Sequence, residues 1–215
     1  MIDAGPSNLI VGISGATGAI FGVRLLQALQ DSAVETHLVL SKWGASTLLH
    51  ETPYSVAQVH KMATHHYASL DVGARISSGS FATRGMVVCP CSVRSLAAVA
   101  HGNGDTLLHR AADVVLKERR KLVLVVRETP LSDIHLENML KLSRMGVVIF
   151  PPVPAFYHHP HTIDDIVDQT VMRVLDQFGI HVASPARWEG KMSTTGKPAQ
   201  KNTPRRAGMS RNPRG

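Results

Sequence analysis

A chain of 215 residues with 44% hydrophobic and 18% charged content is long enough to close one well-buried domain and short for two. Its formal charge of +7 would suit a nucleic-acid partner, but seven of the 23 basic residues lie between Lys191 and Gly215, where no acidic residue occurs. Subtracting them leaves 23 − 7 = 16 basic residues against 16 acidic ones in residues 1–190. The body is therefore neutral, and the composition makes no case for nucleic acid. No run of 18 apolar residues occurs, and the N-terminus lacks the basic start, apolar run and cleavage site of a secretory signal, so a cytoplasmic protein with no membrane span is expected.

Short β-branched runs alternate with stretches of helical period, which predicts successive βα units. The first unit is "LIVGISGATGAIFGVRLL", residues 9–26, a strand at Leu9–Ile13 that passes through glycines at 12, 15 and 18 into a helix. A dinucleotide site would need the G-x-G-x-x-G spacing and an acidic residue about 20 residues on. Neither is present, because the next strand, Thr36–Leu40, ends in Ser41-Lys42. Two readings stand for the turn. It is either tight strand-to-helix packing, or an anion site whose free helix N–H groups and hydroxyls at Ser14 and Thr17 suit the single phosphate of a mononucleotide such as FMN.

A third strand, Met86–Cys89, leads into "CPCSVRSL". Cys89 and Cys91 flank a proline, a spacing that suits neither an unstrained disulfide nor a common zinc site, so they read as small apolar residues ending a buried strand. Ser92 and Ser95, around Arg94, then open a helix. Ser92 fits a helix cap, and the pair also repeats the hydroxyl-bearing turn at a second strand end. Next comes "HRAADVVLKERRKLVLVVRETP", in which Lys117 follows Arg110 by two helical turns and the two share a face. The strand Leu122–Val126 runs straight into Arg127-Glu128, a charge pair placed at a strand end rather than on a helix. A helix at Ser132–Arg144 and a strand at Val147–Phe150 follow. "PPVPAFYHHPH" is then an irregular proline-held loop carrying Tyr157, and a helix at Thr162–Phe178 has Thr162 and Asp165 as its capping pair and Gly179 as its stop. Residues 191–215, poor in apolar side chains, are expected to be a disordered basic tail to a domain of residues 1–190.

The segments "GISGATGAIFGVRLL", "SSGSF", "MVVCPCS", "RAADVVLKERR", "VRETPL", "HLENML", "PPVPAFYH" and "TIDDIVDQTVMRVLDQFG" together resemble the UbiX-type flavin prenyltransferases, in unbroken order from Leu9 to Trp188. Such proteins are also described as a component of phenolic or hydroxyarylic acid decarboxylases, or as aromatic acid decarboxylases. The resemblance implies an α/β domain with a single Rossmann-like, flavodoxin-like doubly wound and mostly parallel sheet flanked by helices. It implies transfer of a dimethylallyl group from dimethylallyl phosphate to N5 and C6 of reduced FMN, with no metal, to make prenylated FMN for a UbiD-type decarboxylase. It also implies a homo-oligomer of trimers stacked into a dodecamer, with the flavin site between subunits.

Carried over by resemblance, Gly15, Ala16 and Thr17 form the first FMN loop, Ser41 contacts the flavin, Ser92, Val93, Arg94 and Ser95 form the second loop, and Arg127 binds FMN. Tyr157 and Arg173 hold the prenyl phosphate, with Arg110 and Lys117 as supporting cations, and Glu51 and Glu128 handle protons near the reacting atoms. Thr17 stands where many members carry serine, which keeps the hydroxyl and adds a methyl group. The histidines at 60, 65, 66, 158, 159 and 161 read as surface or hydrogen-bonded loop residues rather than metal ligands. Two other readings stay open: an FMN-dependent decarboxylase, and an FMN-carrying subunit without activity of its own.

Overall fold

The computed structural model describes residues 7–30 and 32–182, so the expected tail lies outside the described residues. Six strands form one fully parallel sheet: β1 (Asn8–Ile13), β2 (Glu35–Leu40), β3 (His65–Tyr67), β4 (Gly85–Cys91), β5 (Lys121–Val126) and β6 (Val148–Ile149). Their order in the sheet is β3-β2-β1-β4-β5-β6. This is the Rossmann order, which reverses direction between β1 and β4 and opens a crevice beyond the carboxyl ends of those two strands. The Rossmann-like, flavodoxin-like doubly wound α/β architecture expected from the sequence is thus the observed one.

Helices cover both faces. On one lie α1 (Ala19–Gln30), α2 (Lys42–Glu51), α3 (Val56–Met62) and α7 (Ile163–Asp176). On the other lie α4 (Val93–Ala100), α5 (Leu107–Lys117), α6 (Asp133–Arg144) and a single 3-10 turn at Arg75–Ser77. Strand alternation divides the core accordingly. Leu9, Val11 and Ile13 of β1 face the α1 side, and Ile10 faces the α5 side, all fully buried. The capping pair expected for α7 is present, with Thr162 and Asp165 bonding each other's backbone. Arg24 of α1 clasps Asp168 of α7 through two bonds of 2.8 and 2.6 Å.

Two expectations shift. The third predicted strand continues past the proline to Cys91, with a register break between Val88 and Cys91 in its pairing with β5. Proline has no N–H for the ladder, and the break absorbs it. Its consequence is that Cys89 packs against the α1 side and Cys91 against the α5 side, although they are two residues apart. The second difference is β3, three residues of "HHY" at the sheet edge, too short and too polar to show a strand period.

Leu26 is fully buried between α1 and the sheet. Leu26→Ala is expected to cost about 3 kcal/mol in urea unfolding, and a loss below about 1 kcal/mol would contradict a close-packed α1 interface.

Candidate active site

The crevice at the strand reversal is a cavity of about 1180 Å³, above the ~300–1,000 Å³ usual for small-molecule sites. It collects the segments that follow five strands: Gly15, Ala16 and Thr17 after β1, Ser41 to Trp43 after β2, Tyr67 to Leu70 from β3, Ser92 to Ser95 after β4, and Arg127 with Glu128 after β5. Ten of the residues singled out in the sequence therefore meet in one place.

Local chemistry explains each turn. Gly15 is required by a close approach, since a Cβ there would sit 2.4 Å from Cβ of Trp43 and 3.1 Å from its carbonyl carbon. Gly18 takes a φ of +93°, which a side chain resists. Glu51, at the end of α2, accepts hydrogen bonds from the backbone N–H groups of Gly18 at 2.8 Å and Ala19 at 3.1 Å, and from the Thr17 hydroxyl. It thereby places a carboxylate at the positive end of α1. Burial opposes its ionisation, but these hydrogen bonds outweigh burial and hold its carboxyl below the ordinary value. Ser41 and Ser92 cap α2 and α4, and their side chains accept from the N–H groups of Gly44 and Ser95. Capping and cavity lining are compatible here, because Ser92, Val93, Arg94 and Ser95 all line the cavity while the cap bond is made.

Ser14 behaves differently from Thr17. It is buried, donates from its hydroxyl to the carbonyl of Pro90 at 3.0 Å and accepts from the N–H of Ser92 at 2.7 Å, so it ties the end of β1 to the end of β4. Burial pushes the Cys91 thiol up to about 12, and burial with the neighbouring Cys91 moves Cys89 in the same direction. Both cysteines stay neutral packing groups, as the sequence suggested.

Other predicted residues stand apart from this cavity in the single chain. Arg110 pairs with Asp113 at 2.9 Å, and Lys117, two turns further along α5, pairs with Glu118. Arg173 pairs with Asp176 at 3.2 Å on α7, and the Tyr157 hydroxyl accepts from Gln169 at 3.1 Å. Conversely, the cavity includes Trp43, Thr106 and His109, which the sequence reading left out, and His60, which it took for a surface or loop residue. His109 had a usable signal, because it directly precedes Arg110 in a segment already singled out. His60 stacks on His66 with centroids 4.3 Å apart, and burial followed by that neighbour lowers its pKa. Glu35, His37 and His65 bring ligand atoms within 4.8 Å of one another, at the amino end of β2 and away from the cavity. Both ring nitrogens of His37 are already engaged, with Tyr67 at 2.9 Å and Asn8 at 3.3 Å. His158, His159 and His161 line a separate depression between α1 and α7.

A family model described as Flavoprotein matches residues 3–175. The chain is 57% identical over 186 residues to a probable UbiX-like flavin prenyltransferase of Bacillus subtilis, covering 86% of this chain and 91% of that protein. The chain belongs to the UbiX-like flavin prenyltransferases. Its fold matches the crystal structure of AnUbiX (PadA1) in complex with FMN and dimethylallyl pyrophosphate, with a TM-score of 0.85, 50% identity, and coverage of 86% of this chain and 98% of that one. It also matches a dodecameric FMN-dependent UbiX-like decarboxylase from Escherichia coli O157:H7, at 60% identity and a TM-score of 0.84, covering 85% of this chain and all of that one. Among the described residues no helix is long and apolar enough to cross a membrane.

Glu51 supplies a test of the turn. Its folded pKa lies below the unfolded value, so its contribution is fully present above about pH 4.3 and is lost as pH falls through the folded value. Glu51→Gln is expected to cost about 1 kcal/mol at pH 7. The gap from wild type should close on acidification, read from urea midpoints at pH 7 and below pH 4. An unchanged gap at low pH would contradict the capping role.

Proposed function

We propose that this enzyme transfers a dimethylallyl group from dimethylallyl phosphate to reduced FMN. The observation that carries the reading is the convergence, at the strand reversal, of two hydroxyl-bearing helix starts with Arg127 and Glu128. The cradle fits a flavin mononucleotide on its own chemistry: N–H groups and hydroxyls for a phosphate or ring oxygens, and apolar walls from Trp43, Val56 and Leu70. Bound reduced FMN would supply the nucleophilic N5 and C6 that accept the dimethylallyl group.

The chain's own residues have the remaining tasks. Gly15, Ala16, Thr17 and Ser41 hold one part of the flavin, Ser92, Val93, Arg94 and Ser95 another, and Arg127 covers it with a fixed positive charge. Glu128, at the cavity edge, is suited to hold and move a proton near the reacting atoms. Glu51 holds the first loop in place and is one hydroxyl removed from the ligand, through Thr17. A departing phosphate requires cations and donors, and an allylic carbon developing positive charge favours aromatic, apolar walls. Tyr157, Arg173, Arg110 and Lys117 are the donor-phosphate set. Because they lie outside the cavity of their own chain, the reading takes the active form to be a homo-oligomer in which a neighbouring copy contributes Tyr157 and Arg173. The prenylated product would serve a UbiD-type decarboxylase.

Anaerobic incubation of the purified chain with reduced FMN and dimethylallyl monophosphate, followed by mass spectrometry of the released flavin, is expected to show a gain of one prenyl unit. Conversion only with the diphosphate would correct the donor. Unmodified flavin with either donor would leave the carrier reading, and carbon dioxide release from a phenolic acid by the chain alone would favour the decarboxylase reading.

A further inference from the structure

His109 lies on the first turn of α5 and reaches the cavity beside α4. Its Nε2 stands 3.1 Å from the hydroxyl of Ser95, and its Nδ1 stands 3.1 Å from the hydroxyl of Thr106. The Ser95 hydroxyl has a second partner, since it accepts from the hydroxyl of Ser92 at 3.3 Å. A serine oxygen carries one proton and two lone pairs. If Nε2 is unprotonated, Ser95 must spend its proton on the imidazole and has none for a ligand. If Nε2 carries the proton, Ser95 accepts from both Ser92 and His109, and its own proton is free to point into the cavity. Thr106 allows the second arrangement, because its hydroxyl can donate to Nδ1.

We infer that His109 is a positioning residue: with Nε2 protonated it fills the second lone pair of Ser95 and turns the Ser95 hydroxyl toward an electron-rich oxygen of bound flavin at the start of α4. This rests on the proposal that flavin occupies the cavity. The chemistry is a hydrogen bond to a phosphate or ring carbonyl oxygen, at a helix end whose dipole already favours negative charge. The charged groups that face His109 are Arg94 on α4 and Asp105 ahead of α5. Burial first, and Arg94 next, lower its pKa, which agrees with a neutral ring whose tautomer rather than its charge is set by the ligand.

The test is FMN binding to the full chain, read by quenching of flavin fluorescence. His109→Leu is expected to weaken FMN about tenfold, the worth of one hydrogen bond to a polar or charged acceptor, whereas His109→Gln, which keeps an N–H donor, stays within about threefold of wild type. With Ser95→Ala already in place, His109→Leu should change the affinity less than about twofold. A loss seen for FMN but not riboflavin assigns the acceptor to the phosphate, and an equal loss assigns it to the ring. Both outcomes support the inference. Wild-type affinity in His109→Leu, or the same loss with and without Ser95, overturns it. Imidazole nitrogen shifts of the FMN-loaded wild type give a reading that depends on no variant, and an unprotonated Nε2 there would also overturn it. A wild-type chain that binds no flavin at all would instead defeat the flavin reading itself.

Discussion

The carboxylate of Glu51 joins the end of α2 to the start of α1, and the geometry of the cavity depends on that contact. By accepting from Gly18, Ala19 and Thr17 it satisfies helix N–H groups that would otherwise need solvent or ligand, and it fixes the turn that carries Gly15 and Ala16. The same turn is pressed against Trp43 so closely that only glycine fits at position 15. A negatively charged group therefore sits behind the first loop rather than in front of it. The start of α1 is therefore already occupied by a carboxylate, and the helix start whose first residues, Ser92 to Ser95, line the cavity is that of α4.

The second loop is anchored from the other side of the strand reversal. Ser14 bonds both Pro90 and Ser92, so the ends of β1 and β4 cannot separate without exposing buried polar atoms. Beyond Ser92 the chain of hydroxyls continues through Ser95 and His109 to Thr106. Two neighbouring strand ends thus share one hydrogen-bonded frame, and the helix starts they carry are held before any ligand arrives. Preorganisation of this kind reduces the ordering cost of binding.

Much of this was legible in the sequence, for identifiable reasons. The strands of the sheet centre are buried on both faces and read as continuous apolar runs, and α6 and α7 announce themselves with Ser132, Thr162 and Asp165. The loops after β1, β4 and β5 were found because glycines, paired serines and an Arg-Glu pair are hard to place elsewhere. β3 was not legible, because three edge residues give no period, and the extension of β4 to Cys91 was hidden by a proline that normally ends a strand. Glu51 gave no signal of its own. Its partners are backbone groups more than thirty residues away, a relation carried by the fold and not by any local pattern. Trp43 was missed because an exposed tryptophan carries no motif, and His109, although it opens a segment singled out for Arg110 and Lys117, was passed over because its partners Ser95 and Thr106 come together only in the fold.

In the proposed reading the chemistry is divided between copies of the chain. Arg127 and Glu128 belong to the cavity, whereas Tyr157 and Arg173 stand on and beside α7, outside it. Subunit complementation tests this division most directly. Arg127→Ala and Arg173→Ala are each expected to abolish prenyl transfer as homogeneous oligomers. If each site draws its donor-binding arginine from a neighbour, dissociating, mixing and reassembling equal amounts should restore about a quarter of wild-type activity, since some sites then combine an intact cavity with an intact neighbour. Activity that stays at the level of the separate variants would contradict a site shared between subunits.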